Sequence, residues 1–208
     1  MEESARPARQ HSEAHELVAV IMLSLVAVLT AWCGFESAKW GGDSSVAFSE
    51  ASAARIEASD FESQARDARS ADLAIYTQWV LAEANGNLEL AGYIEDRFSP
   101  EFATAFDAWE ADDRKERGPF VMKEYVPPGT ADAKKATDRA NAHQIEALDY
   151  NEKGDNYSLM TVLFALVLFL SAIAQRGVSL LASRIVLGLA GAIALTGLVV
   201  LFTFPIRL

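Results

Sequence analysis

Three histidines and one cysteine are the side chains of this 208-residue chain best suited to metal or nucleophilic chemistry. His11 and His15 stand four apart, a spacing that puts two imidazoles on one helical face and could hold a metal ion. No further Cys or His and no converging carboxylates complete that pair, so the expectation is a solvated helix start and no metal. His143, beside Gln144 and Glu146, has no nucleophile around it, which fits a buried, hydrogen-bonded imidazole rather than a catalytic base. Cys33 is alone, which excludes an internal disulfide framework. The chain has no HExxH, no GxSxG and no Gly-rich phosphate cradle. These patterns point to a non-enzymatic protein without a cofactor.

The elements that position these residues are long helices, three of them apolar. Leu17 to Cys33, Tyr157 to Ala174 and Ile185 to Ile206 contain no Asp, Glu, Lys, Arg or His. Their lengths reach the roughly 17–25 residues of a spanning helix. Intramembrane charges mark proton relays and ion paths, so their absence argues against autonomous active transport. Ser24, Thr30, Thr161, Ser171 and Thr196 remain as a possible polar lining if several copies enclose a pore. The first stretch, behind Arg6 and Arg9, also has the form of a signal peptide, but its apolar core exceeds the ~7–15 residues usual there, so an uncleaved anchor is expected. Trp32 ahead of Cys33 disfavours a lipoprotein signal.

Charge is segregated from these stretches. Residues 34–155 hold 25 of the 29 acids against 13 of the 18 bases, a net of −12. Such a surface repels phosphate backbones, which makes nucleic acid an improper partner. Arg6 and Arg9 precede the first span, and Arg176 and Arg184 flank the turn before the third. The bias of basic residues to the cytoplasmic side therefore predicts a cytoplasmic tail (1–16), a first span (17–33), an extracytoplasmic helical region (34–155), a second span (156–175), a cytoplasmic turn (176–184) and a third span (185–206). Arg207 and Leu208 fall outside the cytoplasm. The expected location is the bacterial plasma (inner) membrane.

Within the extracytoplasmic region Ala47, Ala51, Ala54, Ala58, Phe61, Ala65, Ala68, Asp72, Ile75, Trp79 and Ala82 recur at steps of four and three. Ala133, Ala136, Ala140, His143, Ala147, Tyr150 and Gly154 repeat the rhythm. A stripe of period 3.5 is a coiled-coil seam, and methyl-sized knobs require close backbones. The fold class predicted is an all-α membrane protein: three transmembrane helices with an Ala-rich antiparallel coiled-coil stalk and a small helical cap. Gly41 and Gly42 either break the helix or lie inside one continuous rod at ~1 kcal/mol each; a hinge or kink is expected there, with Asp43 or Ser44 capping the stalk helix, which ends at Asn85-Gly86-Asn87. Trp32 and Trp40 read as anchors at the membrane interface. Thr130 or Asp132 is expected to cap the returning helix.

The cap holds Leu88 to Arg97 as one helix and a second starting at Ser99-Pro100. Phe98, Phe102, Phe106 and Trp109 form a stripe that either covers Ile75, Trp79 and Leu81 or lines a groove for lipid or a partner helix. The prolines of residues 118–129 keep that segment from being helical, and it is expected to lie extended along the cap. Small residues give the spans association faces: Gly188, Ala192 and Thr196 on the third, with Ala190, Gly191, Ala194 and Gly197 adding to it, Ala27 and Ala31 on the first, Thr161 and Ala165 on the second. These faces either pack within the three-helix unit or meet other membrane subunits, or copies of this chain, in the lipid.

Trp32 through Trp40, Tyr76-Thr77-Gln78-Trp79, Asp96-Arg97-Phe98-Ser99-Pro100-Glu101-Phe102, Phe120 to Tyr125, Asp155-Asn156-Tyr157 and Thr161-Val162-Leu163-Phe164-Ala165 together resemble a family of small, uncharacterised bacterial three-span membrane proteins with an extracytoplasmic helical domain. The resemblance runs from about residue 30 to 176. It implies the topology and no mechanism. The functional expectation is an accessory or scaffolding subunit of a larger envelope complex, such as a transporter or respiratory assembly, or else a self-assembling homo-oligomer that encloses a pore or lipid passage.

Overall fold

The computed structural model describes the backbone of residues 7–176 and 179–207, and the side chains of residues 17–176, 179 and 181–207. Arg6, Gly177, Val178 and Leu208, and the side chains of Arg9, His11 and His15, lie outside the described residues. Five α-helices make up the described chain, with no strand among them: α1 (Pro7–Ala84), α2 (Leu88–Glu95), α3 (Pro100–Ala111), α4 (Thr130–Ala174) and α5 (Leu180–Leu201). Three helices, α1, α4 and α5, are long and apolar enough to cross a membrane. The chain divides into two units, one of Met1–Phe48 with Ile145–Leu208, the other Ser49–Gln144.

The hinge expected at Gly41-Gly42 does not exist: α1 is one helix through both glycines. Neighbouring contacts offset the ~1 kcal/mol that each Gly costs in a helix interior. Trp40 is buried with its ring 5.6 Å from Tyr150, and Ser44, expected as a cap, instead donates its hydroxyl to the Ala147 carbonyl at 2.9 Å. The stripe also begins earlier than the sequence reading placed it. Ala19, Val26, Cys33, Trp40, Ala47 and Ala54, each seven from the last, are all buried.

The first unit has two apolar clusters. Val26, Cys33, Trp40, Tyr157, Phe164, Val167 and Ala190 form the larger, and Ala19, Ala174 and Leu187 the smaller. The Ser183 hydroxyl donates to the Ala174 carbonyl at 2.7 Å, which ties α5 to the end of α4 beside the smaller cluster. α5 starts and stops earlier than the expected 185–206. Ser179 caps its start by accepting the Ala182 N–H, and Pro205, whose ring disfavours helix in the residue before it, lies just beyond its end.

In the second unit Gly86, at φ 71°, lets the chain reverse after α1, and the Asn87 N–H reaches back to the Ala82 carbonyl at 2.9 Å. Asn87 caps α2, while Ser99 and Pro100 open α3 with the Phe102 N–H on the Ser99 hydroxyl. Residues 118–129 are not wholly extended, since Pro119–Val121 form a 3-10 turn. Neither Thr130 nor Asp132 caps α4 as expected. Thr130 donates its hydroxyl back to the Pro127 carbonyl, and Asp132 lies within the first turn, paired with Lys135.

Candidate functional site

The small residues singled out on the apolar helices divide: Ala190 and Gly197 on α5 are buried and Gly191 and Ala194 half-buried, and most of the others point outward. Ala27 and Ala31 on α1, Ala165 on α4, and Gly188, Ala192 and Thr196 on α5 are exposed, and Thr161 is half-buried. A Cβ built on Gly188 or Gly191 would meet nothing within 4 Å. The contrast is Gly197, which is buried and whose Cβ would stand 2.7 Å from Leu163 Cδ2 and 3.0 Å from Phe164 Cε1. One face of α5 thus holds the helices of this unit together, and the Gly188–Ala192–Thr196 face is left uncovered by the described residues.

The hydroxyls expected as a polar lining are turned to their own helices. Ser24 donates to Val20 O, Thr30 to Val26 O, Thr161 to Tyr157 O, Ser171 to Val167 O and Thr196 to Ala192 O, at 2.7–3.1 Å. A hydroxyl whose proton is bonded to the carbonyl four residues back is satisfied in apolar surroundings and requires no water-filled lumen.

The aromatic stripe of α3 is core. Phe102 is fully buried, Phe106 and Trp109 nearly so, and Phe98 packs on them. They close on Trp79, Tyr125 and, from their edges, Tyr76 and Phe120. Ring pairs such as Trp79–Phe106 (4.9 Å, 80°) and Phe98–Phe102 (4.8 Å, 82°) take the edge-to-face geometry that the aromatic quadrupole favours. The indoles find partners, with Trp79 Nε1 on Glu95 Oε1 at 2.6 Å and Trp109 Nε1 on the Glu116 carbonyl at 2.8 Å. The groove reading of Phe98, Phe102, Phe106 and Trp109 is therefore set aside: these rings fill the space between α1, α2 and α3.

Three polar contacts, among others, hold this unit together. Tyr125 donates its hydroxyl to the buried Asp72 carboxylate at 2.9 Å, with the Arg69 guanidinium 5.9 Å from the Tyr125 ring. Burial, and then the bond to Asp72, pushes the Tyr125 phenol well above its ordinary range. His143 Nδ1 lies 3.2 Å from Glu50, and Arg139 pairs with Glu57 at 2.7 Å. No group of three His, Cys, Asp or Glu able to hold a metal occurs among the described residues.

The site that sequence reading missed is in the first unit. Glu36 is fully buried, between Cys33 and Trp40 on α1. Its Oε2 accepts the Arg207 N–H at 3.1 Å, while its Oε1, like Trp40 Nε1, is buried with no hydrogen-bond partner among the described residues. Arg207 Nε lies 3.0 Å from Asp43 Oδ2, and its guanidinium stands 5.1 Å from the Trp40 ring centroid and 4.9 Å from that of Tyr150. Hydrogen bonding to Tyr150 and the charge of Asp43 push the guanidinium pKa up, so Arg207 stays charged. Glu36 stands three positions past Cys33 and four before Trp40, which was a usable signal. A hinge at Gly41-Gly42 would leave residues 34–43 outside a seam that begins at Ala47, whereas the continuous helix carries the seam through them.

Compared with protein-family models, with curated proteins and with solved structures, the chain matches none of them.

Proposed function

We propose that this chain is a non-enzymatic accessory or scaffolding subunit of a larger bacterial envelope complex, such as a transporter or respiratory assembly. It docks in the plasma membrane through its small-residue faces and carries residues 34–155 outside the cytoplasm. The observation that carries the reading is the uncovered Gly188–Ala192–Thr196 face of α5, with Ala27 and Ala31 on α1 and Ala165 on α4 also facing out. Where lipid removes the hydrophobic contrast, close backbone approach across small residues drives helix association.

We read α1 and α4 as an antiparallel coiled coil. Burial of Ala47, Ala51, Ala54 and Ala58 on α1 and of Ala133, Ala136, Ala140 and Ala147 on α4 supports this, as do the contacts Ser44–Ala147 in one unit and Glu50–His143 and Glu57–Arg139 in the other. The competing pore reading is weakened by the span hydroxyls, each already bonded to its own helix. A photoreactive amino acid placed at Ala192 in native membranes tests the docking face. A cross-link to a distinct protein is the expected result, and adducts to lipid alone would contradict it.

A further inference from the structure

We propose that residues 202–207, the segment following α5, form a releasable latch over the buried Glu36 and Cys33. After Leu201 the backbone makes one more turn, in which the Thr203 N–H bonds to Val200 O and the Phe204 N–H to Leu201 O, and Pro205 then carries it out of the helix.

One partly buried ring and a few polar contacts hold it down. The Phe204 ring packs edge-on at 5.3 Å against Tyr157, and the Tyr157 hydroxyl donates to the Pro205 carbonyl at 2.9 Å. The Arg207 N–H bonds to Glu36, and its guanidinium pairs with Asp43 beside the rings of Trp40 and Tyr150. Of the segment's large apolar side chains Phe204 alone packs on the core cluster, while Phe202 at 83% and Ile206 at 60% exposed stay out.

That division makes the latch cheap to open. The Arg207–Asp43 pair is more than a third exposed on both sides, and pairs so exposed hold weakly. Beneath it the chain keeps an acid where an apolar side chain would satisfy packing better, and one of its oxygens is bonded only from the latch while the other has no partner among the described residues. Release takes away the one hydrogen bond of this carboxylate and lets solvent reach it and the Cys33 thiol one turn away. The device is independent of the outward small-residue faces.

Cys33 is the only cysteine and is fully buried, so it reports the latch directly. The experiment is the rate of maleimide labelling of the full chain in mild detergent. Arg207→Glu, which sets a carboxylate against Asp43, is expected to label about tenfold faster than the parent with unchanged helix content, and the double variant Arg207→Glu/Asp43→Arg to return towards the parent rate. If Arg207→Glu does not fold, Phe204→Ala, which removes the segment's ring from Tyr157 and the core cluster, carries the same test and should also label faster with unchanged helix content. A parent rate in Arg207→Glu or Phe204→Ala, or an acceleration that the charge swap leaves in place, would overturn the latch.

Discussion

Glu36 and Arg207 stand 171 positions apart, and the Arg207 N–H donates to the Glu36 carboxylate at 3.1 Å. This bond joins α1 to the segment that follows α5, and the Tyr157–Pro205 bond joins the same segment to α4. All three apolar helices are thereby tied together at one end of the first unit by hydrogen bonds rather than by apolar packing alone.

Gly41 and Gly42 lie inside a continuous helix, and a Cβ on either would meet nothing within 4 Å. Gly41→Ala and Gly42→Ala should each stabilise the protein by about 0.5–1 kcal/mol, by lowering the entropy of the unfolded chain and raising helix propensity. Denaturation in detergent followed by circular dichroism measures this, and a loss of stability would restore the hinge.

Gly129 is different in kind. Its φ is +86°, and a Cβ there would stand 2.6 Å from the Phe61 carbonyl oxygen, a backbone atom that cannot swing away. Gly129→Ala should therefore cost about 2–3 kcal/mol, more than Gly86→Ala, where φ is +71° but the space is open. Equal losses in the two variants would contradict the close approach of α1 and the start of α4.

The Tyr125–Asp72 bond gives a pH dependence. The folded state holds the Tyr125 proton more tightly than the unfolded chain, whose phenol has its ordinary value of 10.0. The stabilisation is complete below about pH 10 and is lost as the pH rises beyond it, because the unfolded chain releases its proton first. Tyr125→Phe should cost about 1–3 kcal/mol at pH 8, since the buried Asp72 loses a donor. It should also show a smaller drop between pH 8 and pH 11 than the parent. Identical drops in urea midpoint would remove Tyr125 from the account.

Phe106 and Trp109 are 3% and 7% exposed in the aromatic core. Phe106→Ala and Trp109→Ala should each cost about 3–5 kcal/mol in urea unfolding. A loss below about 1 kcal/mol in both would return these rings to a surface role.

Much of the helical architecture was legible in the sequence because it rests on local rules. The apolar runs, the steps of three and four from Ala47 to Ala82 and the Ser99-Pro100 start each carry their own signal, and the corresponding residues lie in helices α1, α3, α4 and α5. What was hidden depends on contacts distant in sequence. Trp40 against Tyr150 and Ser44 on Ala147 support the unbroken helix through two glycines, and nothing near Gly41 reveals those partners. Glu36 looked like an ordinary acid past the end of a span, since its partner Arg207, read as lying just beyond the third span, is 171 positions away. The direction of the small faces was likewise open until Gly197, rather than Gly188, proved to be the close contact with α4.

The most direct test of the accessory-subunit account is the mass and composition of the particle purified in mild detergent from its native membrane by native mass spectrometry. The account predicts foreign subunits in fixed stoichiometry, lost on Gly188→Leu or Ala192→Leu. A bare monomer, or a ring made of this chain alone, would contradict it.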